Sequence, residues 1–256
     1  MTLIYFHEDF LESYAADPAA SPGRLDPALN ELRAKYPFQR PSQASDETVL
    51  RVHTPRHLRR VASAGEKLYH TALLSLGAVR EASQSALERE TAFALCRPPG
   101  HHAGKDYSWG FCYFNNIAAS VAELLVNEQA QHAVIVDFDL HYGDGTADIF
   151  QGQSNVDFWH SRQSHPPDFI HSLQSFLEGK SADVLAVSAG FDRHEDDWGS
   201  MLSTEDYRKI GSILGEFAEN CCGGRVFAAL EGGYNPSTLA KSIQAFLIGM
   251  EEGKEQ

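Results

Sequence analysis

Asp139 and His141 stand two residues apart in the segment Asp137-Phe-Asp-Leu-His-Tyr-Gly-Asp144. If the strand before them continues, both side chains point the same way, and one face then offers an oxygen and a nitrogen donor. A catalytic zinc that keeps one position open for water needs a third protein ligand. Asp192, which closes Val187-Ser-Ala-Gly-Phe-Asp192 after another apolar run, is the candidate. Taken alone, an Asp-x-His pair reads equally well as a loop-capping pair without a metal.

His101 and His102 follow Arg97-Pro-Pro-Gly100, a rigid lead-in that disfavours a helix and puts both imidazoles at a strand end. In isolation, adjacent histidines are more readily surface residues. Hydrolysis by a water activated at a metal, however, needs one group titrating near neutrality to take a proton and another to protonate the leaving amine. Two imidazoles set apart by different partners can divide that work. Asp137 and Asp144 are the available carboxylates, each able to hold an imidazole N–H and fix its tautomer, and each equally suited to capping a strand end or a helix. In Glu231-Gly-Gly-Tyr-Asn235, Tyr234 sits on a glycine-rich turn from which its hydroxyl can donate to the oxyanion formed at an attacked amide. The plainer role for that ring is packing against a loop. The aromatic-rich run Asp106 to Phe114 reads mostly as core, or more sharply as a channel with Gly110 and Phe111 on its wall.

Elements of alternating type must bring these residues together. Short β-prone runs at Leu3 to Phe6, Thr91 to Leu95, Ala133 to Phe138, Val156 to Trp159, Val184 to Ser188 and Val226 to Leu230 alternate with segments of helical period. The helices are expected at Lys67 to Glu88, Asn115 to Asn127, Asp144 to Phe150, Asp168 to Leu177, Thr204 to Glu219 and Ser237 to Gly249, with Asn235-Pro236 as N-cap and first residue of the last. Strands as apolar as Ala-Val-Ile-Val-Asp-Phe are buried on both faces, which predicts an α/β domain of three layers, a mainly parallel sheet between helices. Every polar cluster named above follows a strand, so all lie on the carboxyl edge of the sheet, where open α/β folds build their sites. The closing Glu251 to Gln256 reads as a solvated tail.

At 256 residues and 43% apolar content, the chain suits one domain spanning residues 1–256. A net charge of -14 opposes binding to nucleic-acid phosphates and attracts cations. No apolar run is long enough to span a bilayer, and Met1 to Asp9 lacks a basic signal-peptide start. Cys96, Cys112, Cys221 and Cys222 follow no CxxC pattern, and reduced thiols in a cytoplasm are expected.

Five segments in order, Arg-Pro-Pro-Gly-His-His-Ala, Trp-Gly-Phe-Cys-Tyr-Phe-Asn-Asn, Val-Asp-Phe-Asp-Leu-His-Tyr-Gly-Asp-Gly-Thr, Val-Ser-Ala-Gly-Phe-Asp and Glu-Gly-Gly-Tyr-Asn, resemble the histone deacetylase family. The resemblance runs from Thr91 to Pro236 and, more weakly, to Glu47 to His53. It implies the arginase-like deacetylase fold and zinc-dependent hydrolysis of an acyl-lysine or acyl-polyamine amide. Carried over residue by residue, it implies Asp139, His141 and Asp192 as zinc ligands, with His101 and His102 as the acid/base pair. His102 takes the base role. Asp137 and Asp144 become the carboxylate partners, Tyr234 the oxyanion donor, and Gly110, Phe111, Trp198 and Gly233 the substrate contacts.

The chain departs from the family pattern in three places. The region between His160 and Asp183 is shortened to Ser161–Ala182, without the usual Pro-Gly-Thr-Gly loop and following strand, which predicts a shallower and wider site. The potassium site that the family has beside the zinc normally takes a serine hydroxyl where this chain has Phe158, leaving backbone carbonyls around Asp137, Asp139 and His141 for a K+ ion. The loop after Asp192 reads Arg193-His-Glu-Asp-Asp-Trp-Gly199, one residue short, which puts Trp198 where specificity is set. Its acidic run Glu195 to Asp197 suits either a cationic amine or plain solvent. An acetylpolyamine amidohydrolase is the near alternative, and a non-catalytic protein that keeps the metal site is the distant one. An arginase relative with two manganese ions would need aspartate-rich motifs that this sequence lacks.

Overall fold

In a computed structural model, which describes residues 1–255, seven strands form one parallel sheet. They are β1 (Leu3–Tyr5), β2 (Phe38–Gln39), β3 (Ala92–Ala94), β4 (Ala133–Asp137), β5 (Val156–His160), β6 (Val184–Ala189) and β7 (Val226–Leu230). Their spatial order is β2-β1-β3-β7-β6-β4-β5, and every pairing is parallel. All residues of β4, β6 and β7 are buried, as their unbroken apolar sequences require when helices cover both faces. The apolar core is one cluster with members from Ile4 to Met250.

The helices that carry this packing are α1 (Asp26–Arg33), α2 (Asp46–Leu50), α3 (Pro55–Ala62), α4 (Glu66–Leu87), α5 (Asn116–Val126), α6 (Asp144–Phe150), α7 (Pro166–Leu177), α8 (Thr204–Cys221) and α9 (Pro236–Lys254). Local chemistry fixes several of their starts. Asn115 caps α5 by accepting from Ala118 N at 3.0 Å, and Asn235 caps α9 by accepting from Ser237 N at 3.2 Å. Ser203 and Asp206 form a reciprocal capping box at the head of α8.

Two expectations change. The final segment is no solvated tail: α9 continues to Lys254, Glu251 accepts from Thr2 N at 2.7 Å, and Lys254 Nζ donates to Thr91 Oγ1 and Gly224 O. These contacts tie the last turn to the start of β1 and the approach to β3, a pairing across the whole chain that no local signal announces; Gln256 lies outside the described residues. The region before α4 also adds β2 and three short helices, whose amphipathic character is confined to a few residues each.

Because β4 crosses to the far side of β6 and β7, the strand order reverses next to β3. The carboxyl ends of β3, β4, β6 and β7 therefore open onto a common crevice.

Candidate active site

Just past the end of β4, the donor atoms of Asp139, His141 and Asp192 lie within 4.8 Å of one another. Their orientation is held by backbone groups. Asp139 Oδ1 accepts from His141 N at 2.8 Å, Asp139 Oδ2 from Gly232 N at 2.8 Å, and Asp192 Oδ1 from Leu140 N at 2.9 Å. Both carboxylates are almost fully buried, whereas the His141 ring reaches the crevice. Asp192 Oδ2 receives no hydrogen bond, although His141 Nδ1 is 3.1 Å away. Burial and the charge of Asp139 push the Asp192 carboxyl up to about 6. Burial acts the same way on Asp139, but His101 and His141 overcome it and hold that carboxyl low.

Two buried carboxylates, one with an oxygen left unpartnered, beside an imidazole nitrogen are a donor set that fits a divalent cation. Oxygen and nitrogen donors suit zinc, and iron(II) or cobalt(II) also accept them. The space is kept open by Gly232: a Cβ there would lie 2.5 Å from Asp139 Oδ2 and 2.7 Å from Asp192 Oδ2.

The two histidines lie side by side next to this cluster, their rings tilted by 42° with centroids 4.0 Å apart, and each has its own carboxylate. His101 Nδ1 is 2.9 Å from Asp137 Oδ2, and His102 Nδ1 is 2.7 Å from Asp144 Oδ1. With Nδ1 engaged, each ring has Nε2 free for other partners. Their environments push them in opposite directions. Burial lowers His101, but Asp137, Asp139 and Glu231 outweigh it and raise the imidazole well above its ordinary value. Burial and the neighbouring His101 lower His102 to about 4, against the pull of Asp144.

Asp144 is also gripped by Trp109, whose Nε1 donates to it at 2.9 Å, and by the Tyr107 hydroxyl at 3.2 Å. The Trp109 ring lies against His102, tilted by 33° with centroids 3.9 Å apart. Glu231 Oε2 accepts from Gly100 N at 2.7 Å and His101 N at 3.2 Å, which fixes the backbone that presents the histidines. Trp109 and Glu231 lie inside the motifs quoted above but have no assigned role there. An aromatic or acidic residue in a motif does not say which group it serves until the chain folds.

Tyr234 faces this array across a cleft of about 320 Å³. Its ring stacks on Trp198 with centroids 3.9 Å apart, and Phe111 meets it edge-on at 6.1 Å. Burial raises the phenol, which keeps it a proton donor. Asp197 Oδ2 accepts from both Tyr234 N (2.7 Å) and Asn235 N (2.8 Å), so this acidic side chain turns inward to anchor the turn while Glu195 and Asp196 are exposed.

Gly110 and Phe111 line the cleft, both with positive φ (57° and 66°). A side chain on Gly110 would meet His102 Cδ2 at 2.4 Å, so this wall approaches the imidazole closely only because glycine is there. Trp198 lines it too, half exposed. Gly232 forms the wall where Gly233 was expected, and Gly233 lies behind it, its carbonyl accepting from Arg24 Nε at 2.7 Å.

Of the carbonyls expected to hold potassium, that of Asp139 is engaged otherwise. Asp139 O accepts from Arg193 Nε at 3.0 Å and has His160 Nε2 at 3.0 Å, and Phe138 O accepts from the same Arg193 Nε at 3.1 Å. With Phe158 in place of a hydroxyl ligand, these residues do not fit a K+ ion at that carbonyl.

The sheet order and the histidine–carboxylate pairs beside a three-donor cluster define a class: an α/β amidohydrolase site at the carboxyl edge of a parallel sheet. The model of the histone deacetylase domain matches residues 19–169 and 168–250, and the chain belongs to the histone deacetylase family. It is an enzyme of the hydrolytic deacetylase type. A protein named "Probable deacetylase" from Archaeoglobus fulgidus is 30% identical over 92% of this chain and 82% of its own length. A second "Probable deacetylase", from Methanothermobacter thermautotrophicus, is 29% identical over 84% of this chain and 79% of its own length. A histone deacetylase-like amidohydrolase of Pseudomonas aeruginosa is 26% identical over 81% and 68%. The crystal structure of the HDA15 HD domain superposes with a TM-score of 0.85 over 98% of this chain and 90% of its own, at 24% identity, which shows the shared arginase-like fold.

Proposed function

We propose that this protein hydrolyses the amide of an acylated amine, an acyl-lysine or an acylated polyamine, with a zinc ion held by Asp139, His141 and Asp192. When bound, such an ion polarises the amide carbonyl and acidifies water. The observation that carries the reading is the pair of histidines, each on its own carboxylate, between that cluster and Tyr234.

The remaining work falls to the chain's own residues. His102, neutral because burial and His101 depress it, has Nε2 available to accept a proton from the attacking water. Asp144 holds its Nδ1–H and steadies the imidazolium that results, while Trp109 keeps Asp144 in place. His101, held protonated by Asp137, Asp139 and Glu231, is suited to give a proton to the leaving amine. Tyr234 donates its O–H to the developing oxyanion, a contribution of roughly 3 kcal/mol for a comparable donor. Phe111, Trp109 and Trp198 supply apolar surface for the acyl-amine chain. The net charge of -14 draws a cationic substrate toward the cleft. Trp109 and Trp198 are each about half exposed (52% and 51%), which supports a shallow, open channel.

Among the described residues no helix is long and apolar enough to cross a membrane. The four cysteines are free thiols, which supports a reducing compartment such as the cytoplasm. The test is turnover of a panel of acyl-lysine peptides and acylpolyamines by protein stripped of metal and then reloaded with zinc. Turnover that appears only on reloading supports the reading. Failure of the zinc-loaded protein on every acylated amine would overturn it in favour of a binding protein.

A further inference from the structure

Arg193 follows the ligand candidate Asp192, is 3% exposed, and makes no salt bridge to a carboxylate among the described residues. Its guanidinium is enclosed by backbone oxygens instead. Nε donates to Phe138 O (3.1 Å) and Asp139 O (3.0 Å), and Nη2 donates to Leu140 O (3.3 Å) and Ser161 O (2.8 Å). His160 Nε2 lies 3.3 Å from Nη2, and the guanidinium sits over the Phe169 ring at 4.8 Å.

Carbonyl dipoles converging on one buried charge, with no formal anion in contact, are how proteins bind a desolvated monovalent cation. A guanidinium is itself such a cation: planar, weakly hydrated and permanently charged. Burying it without a paired anion would be costly, but the carboxylates of Asp139, Asp192 and Asp137 act favourably on it from nearby.

We propose that Arg193 is a built-in monovalent cation. Its guanidinium fills the carbonyl cage beside the metal cluster, so that the ligand segment Asp139 to His141 is held without potassium or sodium from solution. Two features of the sequence coincide with this. Phe158 stands where the resemblance calls for a serine hydroxyl, so an oxygen ligand is missing. The shortened segment after His160 supplies Ser161 O and, from α7, Phe169, which close the far side of the guanidinium. Arg193 is a positioning residue: it touches the backbone of the ligand segment and does not line the active-site cleft.

The test compares potassium, sodium and tetramethylammonium chlorides at matched ionic strength, reading melting temperature and zinc affinity by chelator competition. The wild-type melting temperature is expected to agree within about 1 °C in all three, with equal zinc affinity. Arg193→Ala empties the cage. This variant is expected to bind zinc about tenfold more weakly in tetramethylammonium, the scale for losing a group that orients a ligand. Potassium should restore that affinity and raise its melting temperature by about 2–4 °C, the shift for roughly 1 kcal/mol in a chain of this size.

A wild-type protein that gains stability or zinc affinity from potassium overturns the proposal. So does a folded Arg193→Ala protein with unchanged zinc affinity and no response to potassium. Should the variant fail to fold in any salt, wild-type crystals soaked in rubidium chloride decide. A rubidium anomalous peak among the carbonyls of Phe138, Asp139, Leu140 and Ser161 overturns it, and a cage holding only Arg193 supports it. The zinc-affinity arm rests on the reading of Asp139, His141 and Asp192 as ligands. The melting and rubidium arms do not, so failure of the one reading is distinguishable from failure of the other.

Discussion

Acid should unfasten the site through a residue that touches no substrate. His53 is 4% exposed and bridges two parts of the molecule. Its Nδ1 is 2.8 Å from Gly104 O, in the loop just after His101 and His102, and its Nε2 accepts from Asn115 N at 2.9 Å, at the cap of α5. A carbonyl on one side and an N–H on the other require the neutral ring with its proton on Nδ1. Protonating Nε2 would set two N–H groups against each other. Burial, with His57 stacked 4.7 Å away, lowers this imidazole to about 3, against the hydrogen bond to Gly104.

In the unfolded chain the same imidazole has a pKa of about 6.5. The folded value is the lower one, so below pH 6.5 the unfolded state binds the extra proton. The stabilisation is complete above that pH and is lost as pH falls toward 3. At about 1.4 kcal/mol per unit, roughly 2 kcal/mol should go between pH 7 and pH 5, and about 5 kcal/mol by the lower limit. The assay is urea unfolding of wild type and His53→Asn at pH 7 and pH 5 with zinc saturating in both. The variant is less stable at pH 7, but its stability should fall between the two pH values by about 2 kcal/mol less than that of wild type. His57 and the metal ligands titrate in both proteins and cancel. Equal pH dependence in the two proteins would refute the reasoning.

Tyr234→Phe should keep the fold and zinc affinity, because the ring keeps its stack on Trp198 and the hydroxyl makes no hydrogen bond to any described residue; steady-state kinetics should show kcat lower by about 10²- to 10³-fold. His102→Ala should abolish most turnover; if it is active while His101→Ala is dead, the base and acid roles are exchanged. Gly232→Ala should reduce zinc binding measured by chelator competition, since its methyl group would press on both carboxylates, and normal zinc affinity would show that the cradle relaxes. On one lysine reporter, acetyl, butyryl and bulkier acyl groups should be hydrolysed with weak discrimination and high KM, as expected where few contacts immobilise the substrate; exclusion of the bulky groups would mean the channel is closed.

The positions of six of the seven strands and of α4 to α9, and the edge on which the site lies, were legible because each rests on a local rule. Apolar runs such as Ala133 to Phe138 must be buried on both faces, and the polar clusters follow those runs directly. The Asp-x-His spacing and the paired histidines carried their chemistry in residue type alone. Much else was not legible. The acidic loop reads as solvated, yet Asp197 turns in to hold Tyr234, and nothing in a run of three acids says which faces inward. The closing segment reads as a charged tail, yet Glu251 and Lys254 find partners at Thr2 and Thr91, far away in sequence.

By itself, then, the sequence determined the layered parallel architecture, the family and the chemical types gathered at one sheet edge, since periodicity, burial and motif spacing are short-range properties of the chain. Only the tertiary structure decided how those groups are tuned. His101 and His102 are adjacent and chemically identical, yet one is raised by Asp137, Asp139 and Glu231 and the other lowered by burial beside it. Arg193 sits in an ordinary-looking loop, yet four carbonyls from two separate segments converge on it. Both outcomes depend on charges and dipoles brought within a few ångströms by the crossing of β4 past β6 and β7, and electrostatic interaction depends on distance in space, which sequence separation does not encode.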